Sequence, residues 1–274
     1  MCRDKLYDGG DLQLSLIGEE RKGIILEQLN AEGQVKTFDL VQKLGVSSET
    51  IRRYLEELEL ENRLKRVYGG AVKINLLGKE PSYLKREVIY AEEKRMIGKA
   101  AAALVEDNDV IFIDDGTTPL AMIDFLMNKN NLTVLTISIP ALHQLIEYKN
   151  KELFNGEIYL IGGKVNSRHS RITGSIAEKI VDLFHADKAF ISIDGMVLGK
   201  GITAFDAERG QLVSKMMGNS RQSIVMTDGS KIGLTQLYRI AEWRDMNTVI
   251  SDVHMPKDWV KPLEKFGVDW IVAQ

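Results

Sequence analysis

The stretch Ser47-Ser48-Glu49-Thr50-Ile51-Arg52-Arg53-Tyr54-Leu55-Glu56-Glu57-Leu58-Glu59, followed by Arg63-Leu64-Lys65-Arg66-Val67-Tyr68-Gly69-Gly70-Ala71, decides how the N-terminal part of the chain is read. Ser47 is placed to cap a helix with its hydroxyl. Ile51, Leu55 and Leu58 fall at i, i+4 and i+7 and share one face, which predicts that this face is buried. The same spacing turns Ser48, Glu49, Arg52 and Arg53 to the other side, near the helix N-terminus. In helix-turn-helix proteins that end enters the major groove. Upstream, Thr37 is expected to cap a short helix, Phe38–Leu44, with Leu40, Val41 and Leu44 inward. Gly45 suits a left-handed stop, and Val46 would fill the gap between the two helices. A first helix is expected over Glu19–Asn30, carrying Ile24, Ile25, Leu26 and Leu29. Downstream, Arg63–Val67 reads as a wing strand, Tyr68-Gly69-Gly70 as its turn and Ala71–Ile74 as the return strand. From Arg63 to Lys73 there are basic residues and no acids.

A charged amphipathic helix on its own is usually only a solvated face. Two capped helices, a glycine turn and a basic wing in this order instead point to a DNA-binding unit. Its candidate contacts are Ser48, Glu49, Thr50, Arg52, Arg53, Lys65, Arg66, Tyr68 and Gly69. The chain has 274 residues, room for one small and one medium domain. A formal net charge of −3 excludes a general polyanion binder, so the charge that meets DNA must be local. Such binding is expected to be specific and salt-sensitive. The single cysteine, Cys2, excludes an internal disulfide and a cysteine-based zinc site. The histidines, His143, His169, His185 and His254, are scattered without metal-ligand spacing, and no metal or cofactor is expected. There is no run of about eighteen apolar residues, so no membrane span is expected. Residues 1–18 lack a signal-peptide pattern and read as a flexible tail, and a cytoplasmic location is expected.

The expected organisation is therefore a tail over 1–18, a winged helix-turn-helix domain over 19–74, a linker over 75–91 and an α/β domain over 92–274. Gly78 and Pro81 mark the linker core, Asn75–Ser82. Beyond it, helices alternate with short apolar strands. Strands are expected at Val110–Asp114, Leu132–Ser138, Ile158–Ile161, Lys188–Ile193, Ser223–Thr227, Thr248–Ser251 and Val268–Val272. Helices are expected at Glu92–Val105, Leu120–Met127, Ala141–Tyr148, Ile176–Phe184, Ala207–Met217 and Lys257–Phe266. This alternation predicts a mostly parallel sheet covered on both faces.

Ligands of open α/β sheets bind at the carboxyl ends of the strands. Five strand ends are polar and glycine-bearing or hydroxyl-rich. The first strand runs into Asp114-Asp115-Gly116-Thr117-Thr118, where a tight turn, two hydroxyls and backbone N–H groups suit a phosphate. The others end at Thr136-Ile137-Ser138, Gly162-Gly163-Lys164, Asp194-Gly195 and Asp228-Gly229-Ser230-Lys231. Each alone is ordinary turn chemistry. Together they predict a small phosphorylated ligand on one sheet edge. The loop Gly199–Glu208 adds Lys200, Asp206 and Glu208, although a solvated loop leading into an acid-rich helix start reads equally well there. The candidate ligand residues are Asp114, Gly116, Thr117, Thr118, Thr136, Gly163, Lys164, Asp194, Lys200, Glu208, Asp228 and Lys231.

With these residues in place, the chain resembles the DeoR/GlpR-type bacterial transcriptional regulators from about Ile17 to its C-terminus. The resemblance rests on Val46-Ser47-Ser48-Glu49-Thr50-Ile51-Arg52-Arg53, Leu55–Glu59 and Arg66-Val67-Tyr68-Gly69-Gly70-Ala71. It continues through Asp114, Gly116, Thr117, Thr118, Gly162-Gly163, Thr173-Gly174, Asp194-Gly195, Glu208, Asp228 and Ser230-Lys231. It implies a winged-helix repressor with a sensor for a phosphorylated sugar, acting as a homo-oligomer, dimer or tetramer, on paired or repeated half-sites of operator DNA. Three positions depart from the family pattern. Tyr54 stands for its usual aspartate, Tyr68 for its histidine before Gly-Gly, and Ile137 for the asparagine of its Thr-Asn. Tyr54 and Tyr68 either change which bases are read or repack the domain. The family's sensor is similar in fold to sugar-phosphate isomerases and coenzyme A transferases, which supplies an alternative reading as an aldose–ketose isomerase. There Glu208 would move the proton and Lys200 would stabilise the enediolate, with Asp194 as the accompanying acid. An intact DNA-binding unit favours the regulator, and no catalytic residue is expected.

Overall fold

The computed structural model describes residues 9–60, 63–72 and 80–274. The chain divides into two compact units, Met1–Gly78 and Lys79–Gln274. The first comprises α1 (Gly9–Glu32), β1 (Gln34–Lys36), α2 (Thr37–Leu44), α3 (Ser48–Leu60), β2 (Lys65–Val67) and β3 (Gly70–Val72). Helix α1 is longer than expected: residues 9–18, read as part of a tail, are helical. No proline interrupts 9–18, and an isolated glycine such as Gly18 costs only about 1 kcal/mol in a helix that already propagates. Ser47 caps α3 as expected, its Oγ accepting the Thr50 N–H at 3.2 Å. Gly45 ends α2 in the left-handed region at φ 62°, its N–H donating to the Val41 carbonyl at 3.0 Å. Thr37 does not cap α2. It is the first helical residue, and its N–H donates to the Gly69 carbonyl at 2.7 Å, so the wing turn takes the cap's place.

Strand β1 was not expected. Three residues carry no readable alternation, and β1 exists because β3 pairs with it antiparallel, Val35 opposite Ala71, giving the order β1-β3-β2. The core of this unit is Ile25, Leu29, Val35, Leu40, Ile51, Leu55, Leu58, Leu64 and Ala71, with Val41, Leu44 and Val46 against it. Tyr54 joins that core, so at this position the structure supports repacking over base reading. Residues 73 and 74 of the expected return strand lie outside the described residues.

The second unit contains α4 (Tyr83–Val88), α5 (Ala91–Ala103), β4 (Val110–Ile113), α6 (Thr117–Leu120), β5 (Thr133–Thr136), α7 (Ile139–Asn150), β6 (Glu157–Leu160), β7 (Lys164–Asn166) and β8 (Arg171–Thr173). It continues with α8 (Ser175–Val181), β9 (Ala186–Ser192), β10 (Gly195–Val197), β11 (Gly201–Ala204), α9 (Ala207–Gly218), β12 (Ser220–Thr227), β13 (Tyr238–Ala241), β14 (Thr248–Ser251), α10 (Val260–Glu264) and β15 (Asp269–Val272). Seven strands form one parallel sheet in the order β15-β14-β12-β9-β4-β5-β6, with an apolar core on each face. From β4 the chain builds outward through β5 and β6, then returns to place β9 on the other side of β4. That reversal opens a crevice at the carboxyl ends of β4 and β9, where open α/β sheets bind ligands.

All seven expected sheet strands are present. The hairpin β7–β8 and the antiparallel set β10-β11-β13 were not read, because strands of three or four residues are too short to show a period. The helix expected over 120–127 is replaced by α6 and a 3₁₀ turn at Ile123–Phe125, and that over 257–266 shortens to α10. Residues 80–91 are corrected most. Expected as linker, they belong to the second unit, form α4 and bury Glu80.

Candidate functional site

In the DNA-binding unit, Ser48, Glu49, Arg52 and Arg53 are exposed on one side of the first half of α3, and Thr50 is half-buried. Both arginines are held loosely: Arg52 Nη1 lies 4.0 Å from Glu49 Oε2, and Arg53 Nε lies 3.8 Å from Glu57 Oε1. In the wing, Lys65, Tyr68 and Gly69 are exposed, and Gly69 adopts φ 77°, which the two-residue turn requires. Arg66 differs. Its N–H donates to Glu59 Oε1 at 2.8 Å, and its guanidinium lies 3.6 Å from Glu56 and 3.8 Å from Glu59, so it ties the wing to the acidic second half of α3. Lys65→Ala is therefore expected to weaken binding to operator and random DNA alike and to lower the salt slope by about one unit, as for one lost phosphate contact. An unchanged slope in salt titrations would remove the wing from the interface.

In the second unit, the crevice between β4 and β9 is filled by a buried network of ionised groups. Asp114 Oδ2 accepts from Ser192 N–H at 2.9 Å, Ser192 Oγ at 2.7 Å and Arg209 Nη2 at 2.5 Å. Arg209 Nε donates to Asp115 Oδ1 at 2.6 Å, and Arg209 Nη1 lies 3.6 Å from Asp194. Arg171 donates to both oxygens of Glu80 at 2.8 and 2.9 Å, to Asp115 at 3.2 Å and to Asp206 at 3.3 Å. Arg86 closes the set, 3.3 Å from Glu80 and 3.8 Å from Asp115. Burial pushes the Asp114 carboxyl up to about 6, against the pull of Arg209 and helped by the neighbouring Asp115 charge. Burial also opposes the charge on Asp115, but the guanidiniums of Arg209, Arg171 and Arg86 hold it well below the usual carboxylate range.

Several side-chain nitrogens in this network are buried without a hydrogen-bond partner: Arg86 Nε and Nη2, His169 Nδ1, Arg171 Nε and Arg209 Nη1. Folded proteins rarely leave such groups unpaired away from a functional site. Beside them, Lys94 of α5 is buried, and its Nζ donates to the Arg86 carbonyl. Thr117 Oγ1 lies 3.5 Å from the same carbonyl. Burial pushes Lys94 down to about 8; Asp228 favours its proton, while Lys231 and Arg86 disfavour it.

The expected residues are thus only partly brought together. Asp114, Gly116, Thr117, Thr118 and Asp194 gather at the crevice, and Asp228 and Lys231 stand near Lys94. Gly116 is required by packing: a Cβ there would lie 2.1 Å from Ser192 Oγ. Asp228 caps the 3₁₀ turn at Gly229–Lys231, accepting the Ser230 N–H at 3.0 Å. Thr136 is fully buried and occupied locally, donating to the Ile113 carbonyl at 2.8 Å and accepting the Ser138 N–H at 3.0 Å. Gly163 packs on Ile172 and Ala177 between β6 and β7. Lys164 Nζ donates to both Glu208 oxygens at 3.1 Å, and Thr173 Oγ1 donates to Glu208 at 3.2 Å, forming an exposed pair between β7 and α9. Lys200 is exposed at the tip of the β10–β11 hairpin, whereas Asp194 precedes its base. At the rise of an extended chain, that separates them by about 10 Å along the hairpin.

Glu80, Arg86, Lys94, Arg171 and Arg209 were missed. A signal existed for two of them. Lys94 shares the buried stripe of α5 with Ile97, Gly98 and Ala101, and Arg209 that of α9 with Leu212, Val213 and Met216. A cation on an apolar helical stripe needs a buried partner.

The family model described as "DeoR-like helix-turn-helix domain" matches residues 21–76, and that described as "DeoR C terminal sensor domain" matches residues 89–253. The chain is 34% identical to the HTH-type transcriptional repressor GlcR of Bacillus subtilis (strain 168), over 93% of this chain and 96% of that one. It is 30% identical to the lactose phosphotransferase system repressor of Staphylococcus epidermidis, over 85% and 91%. It is also 28% identical to the putative aga operon transcriptional repressor of Escherichia coli O157:H7, over 93% of each chain.

Proposed function

We propose that this chain, which belongs to the DeoR family of helix-turn-helix transcriptional regulators, represses sugar-metabolism genes and is controlled by a phosphorylated sugar bound at the β4–β9 crevice. Family membership favours a DNA-binding regulator over an isomerase. The relatives compared above are named as transcriptional repressors, one of them for a lactose phosphotransferase system. The exposed Lys200 and the engagement of Glu208 by Lys164 point the same way. The observation that carries the ligand reading is the pair of buried guanidinium N–H groups without a hydrogen-bond acceptor, Arg171 Nε and Arg209 Nη1, in the network that also holds Lys94 and Thr117. Phosphate oxygens and sugar hydroxyls are acceptors of the kind these donors lack.

In this reading the phosphate lies against Lys94, Thr117 and the Gly116–Thr118 backbone, with Lys231 adding charge. The hydroxyls meet the guanidinium and carboxylate groups around Asp194. Arg52 and Arg53 face the major groove, Ser48 and Thr50 the backbone phosphates, and a homo-oligomer spans paired half-sites. Among the described residues no helix is long and apolar enough to cross a membrane.

The deciding experiment is binding to the protein's own upstream DNA, with and without a panel of sugar phosphates. Specific binding changed by one compound supports the switch, and DNA binding unmoved by all of them refutes the ligand reading. A second expectation concerns pH. Lys94, pushed down to about 8 by burial, sheds its proton above that value. Affinity for the effective sugar phosphate, whose phosphate stays dianionic over this range, is expected to fall about tenfold or more between pH 7 and 9.5, the loss of one charge-assisted hydrogen bond. Titration calorimetry checks this, and Lys94→Met should bind weakly with no such pH dependence. A Lys231→Ala chain of unchanged affinity would remove that residue from the site.

A further inference from the structure

Residues 80–90, the first described segment of the second unit, lie over the donors that an anion at this site would need. The Arg86 carbonyl accepts from Lys94 Nζ and sits 3.5 Å from Thr117 Oγ1. A backbone carbonyl oxygen carries partial negative charge. It therefore occupies the place where a phosphate oxygen would meet the same donors, and both cannot be there at once.

Polar contacts hold the segment, among them Arg86 at 3.8 Å from Asp115 and Glu80 at 3.4 Å from His169. Glu80 accepts from both terminal nitrogens of Arg171, a bidentate pair with both side chains buried. The Tyr83 N–H donates to the Arg168 carbonyl at 3.2 Å. Within the segment, the Lys85 and Arg86 N–H groups donate to the Ser82 carbonyl at 3.1 Å each. The fit is imperfect, because Arg86 Nε and Nη2 are buried without a hydrogen-bond partner. Such unmade bonds cost free energy and leave the seated arrangement open to displacement. Tyr83 is the one buried apolar residue of α4; Leu84 and Val88 are exposed, so its apolar anchoring rests on a single side chain.

We propose that residues 80–90 are a strap whose Arg86 carbonyl stands in for a ligand phosphate oxygen at Lys94 and Thr117, so that strap seating and ligand binding exclude one another. Glu80 is the positioning residue that holds the strap down through Arg171. The proposal rests on the phosphosugar reading and adds the route by which occupancy is passed on. The strap opens the unit that follows the DNA-binding unit in the chain. A ligand that binds only the lifted arrangement shifts the equilibrium by that difference in affinity.

The test is amide hydrogen exchange of the full chain with inorganic phosphate as probe, and in parallel with the sugar-phosphate panel. Phosphate is expected to slow exchange at residues 116–118 and to speed it at 83–90. The Glu80→Gln chain is expected to bind phosphate about three- to tenfold more tightly, because a larger fraction is already in the binding-competent arrangement. Its operator affinity should become nearly independent of ligand. Glu80→Asp, which keeps the charge, should return both properties toward those of the unsubstituted chain. A merely structural role for Glu80 would weaken phosphate binding instead. Protection at 116–118 with no change at 83–90, or weaker binding by Glu80→Gln, overturns the strap and leaves the ligand site standing. No effect of phosphate or any sugar phosphate on this edge overturns the ligand reading and the strap together. Should Glu80→Gln fail to fold, the exchange pattern of the unsubstituted chain decides.

Discussion

An Arg209→Met chain is expected to be less stable than the unsubstituted protein by about 3–5 kcal/mol, the usual cost of removing one partner from a buried ion pair. Arg209 is 1% exposed and holds Asp114, Asp115 and Ser192 at hydrogen-bond distance, so the substitution leaves two buried carboxylates without their shared cation. The deficit should depend on pH, with a sign that follows from linkage. In the unsubstituted chain Arg209 and its companions hold Asp115 low. That group therefore adds stability above its unfolded value, and the contribution is lost only as pH falls through the lower folded one. Without Arg209 the Asp114 carboxyl, already pushed up by burial, should titrate higher still, whereas Asp115 keeps Arg171 and Arg86. Asp114 then binds more protons folded than unfolded over a wider interval, and stability falls as pH rises through it. Urea denaturation at pH 5 and pH 8 should accordingly find the smaller deficit at pH 5. A deficit equal at both values would mean that Arg209 contributes through packing rather than charge. Adding Asp114→Asn to Arg209→Met should recover part of the loss, since it removes the stranded charge.

Arg52→Ala is expected to weaken operator binding by about 1–3 kcal/mol, roughly ten- to a hundredfold, and to relax the preference at one base pair. Arg52 is exposed near the start of α3, and its nearest ion-pair partner, Glu49, is 4.0 Å away. Little intramolecular stability opposes its reaching a guanine edge, and the folded domain should tolerate its removal. Anisotropy titrations against operator and scrambled duplexes separate the alternatives. Loss on the operator alone identifies a base contact, whereas equal loss on both makes Arg52 a phosphate contact. Arg66→Ala serves as the contrast. Arg66 bridges to Glu56 and Glu59, so its loss should also loosen the wing.

The unexpected features share a physical origin. Strand β1 forms because β3 passes beside it, and Thr37 gives up its capping role to the Gly69 carbonyl from across the wing. Residues 80–91 read as linker because Gly78 and Pro81 mark the stretch Asn75–Ser82 just before and within them. Glu80 is nevertheless buried by Arg171, ninety-one positions away. Thr136 has the composition of a ligand residue, yet the neighbouring strand takes its hydroxyl.

What the sequence determined by itself is whatever depends on neighbours a few residues apart. That covers the Ser47 cap, the Gly45 stop, the buried face of Ile51, Leu55 and Leu58, the seven strands of the parallel sheet and the turn after β4. Periodicity and capping are local, so they are written where they act. Only the tertiary structure decided the order of those strands, and with it the crevice between β4 and β9. It alone brought Glu80, Arg86, Lys94, Arg171 and Arg209 to one place. A buried charge is tolerated only beside its partner, and here the partners come from distant segments that meet only when the sheet has formed.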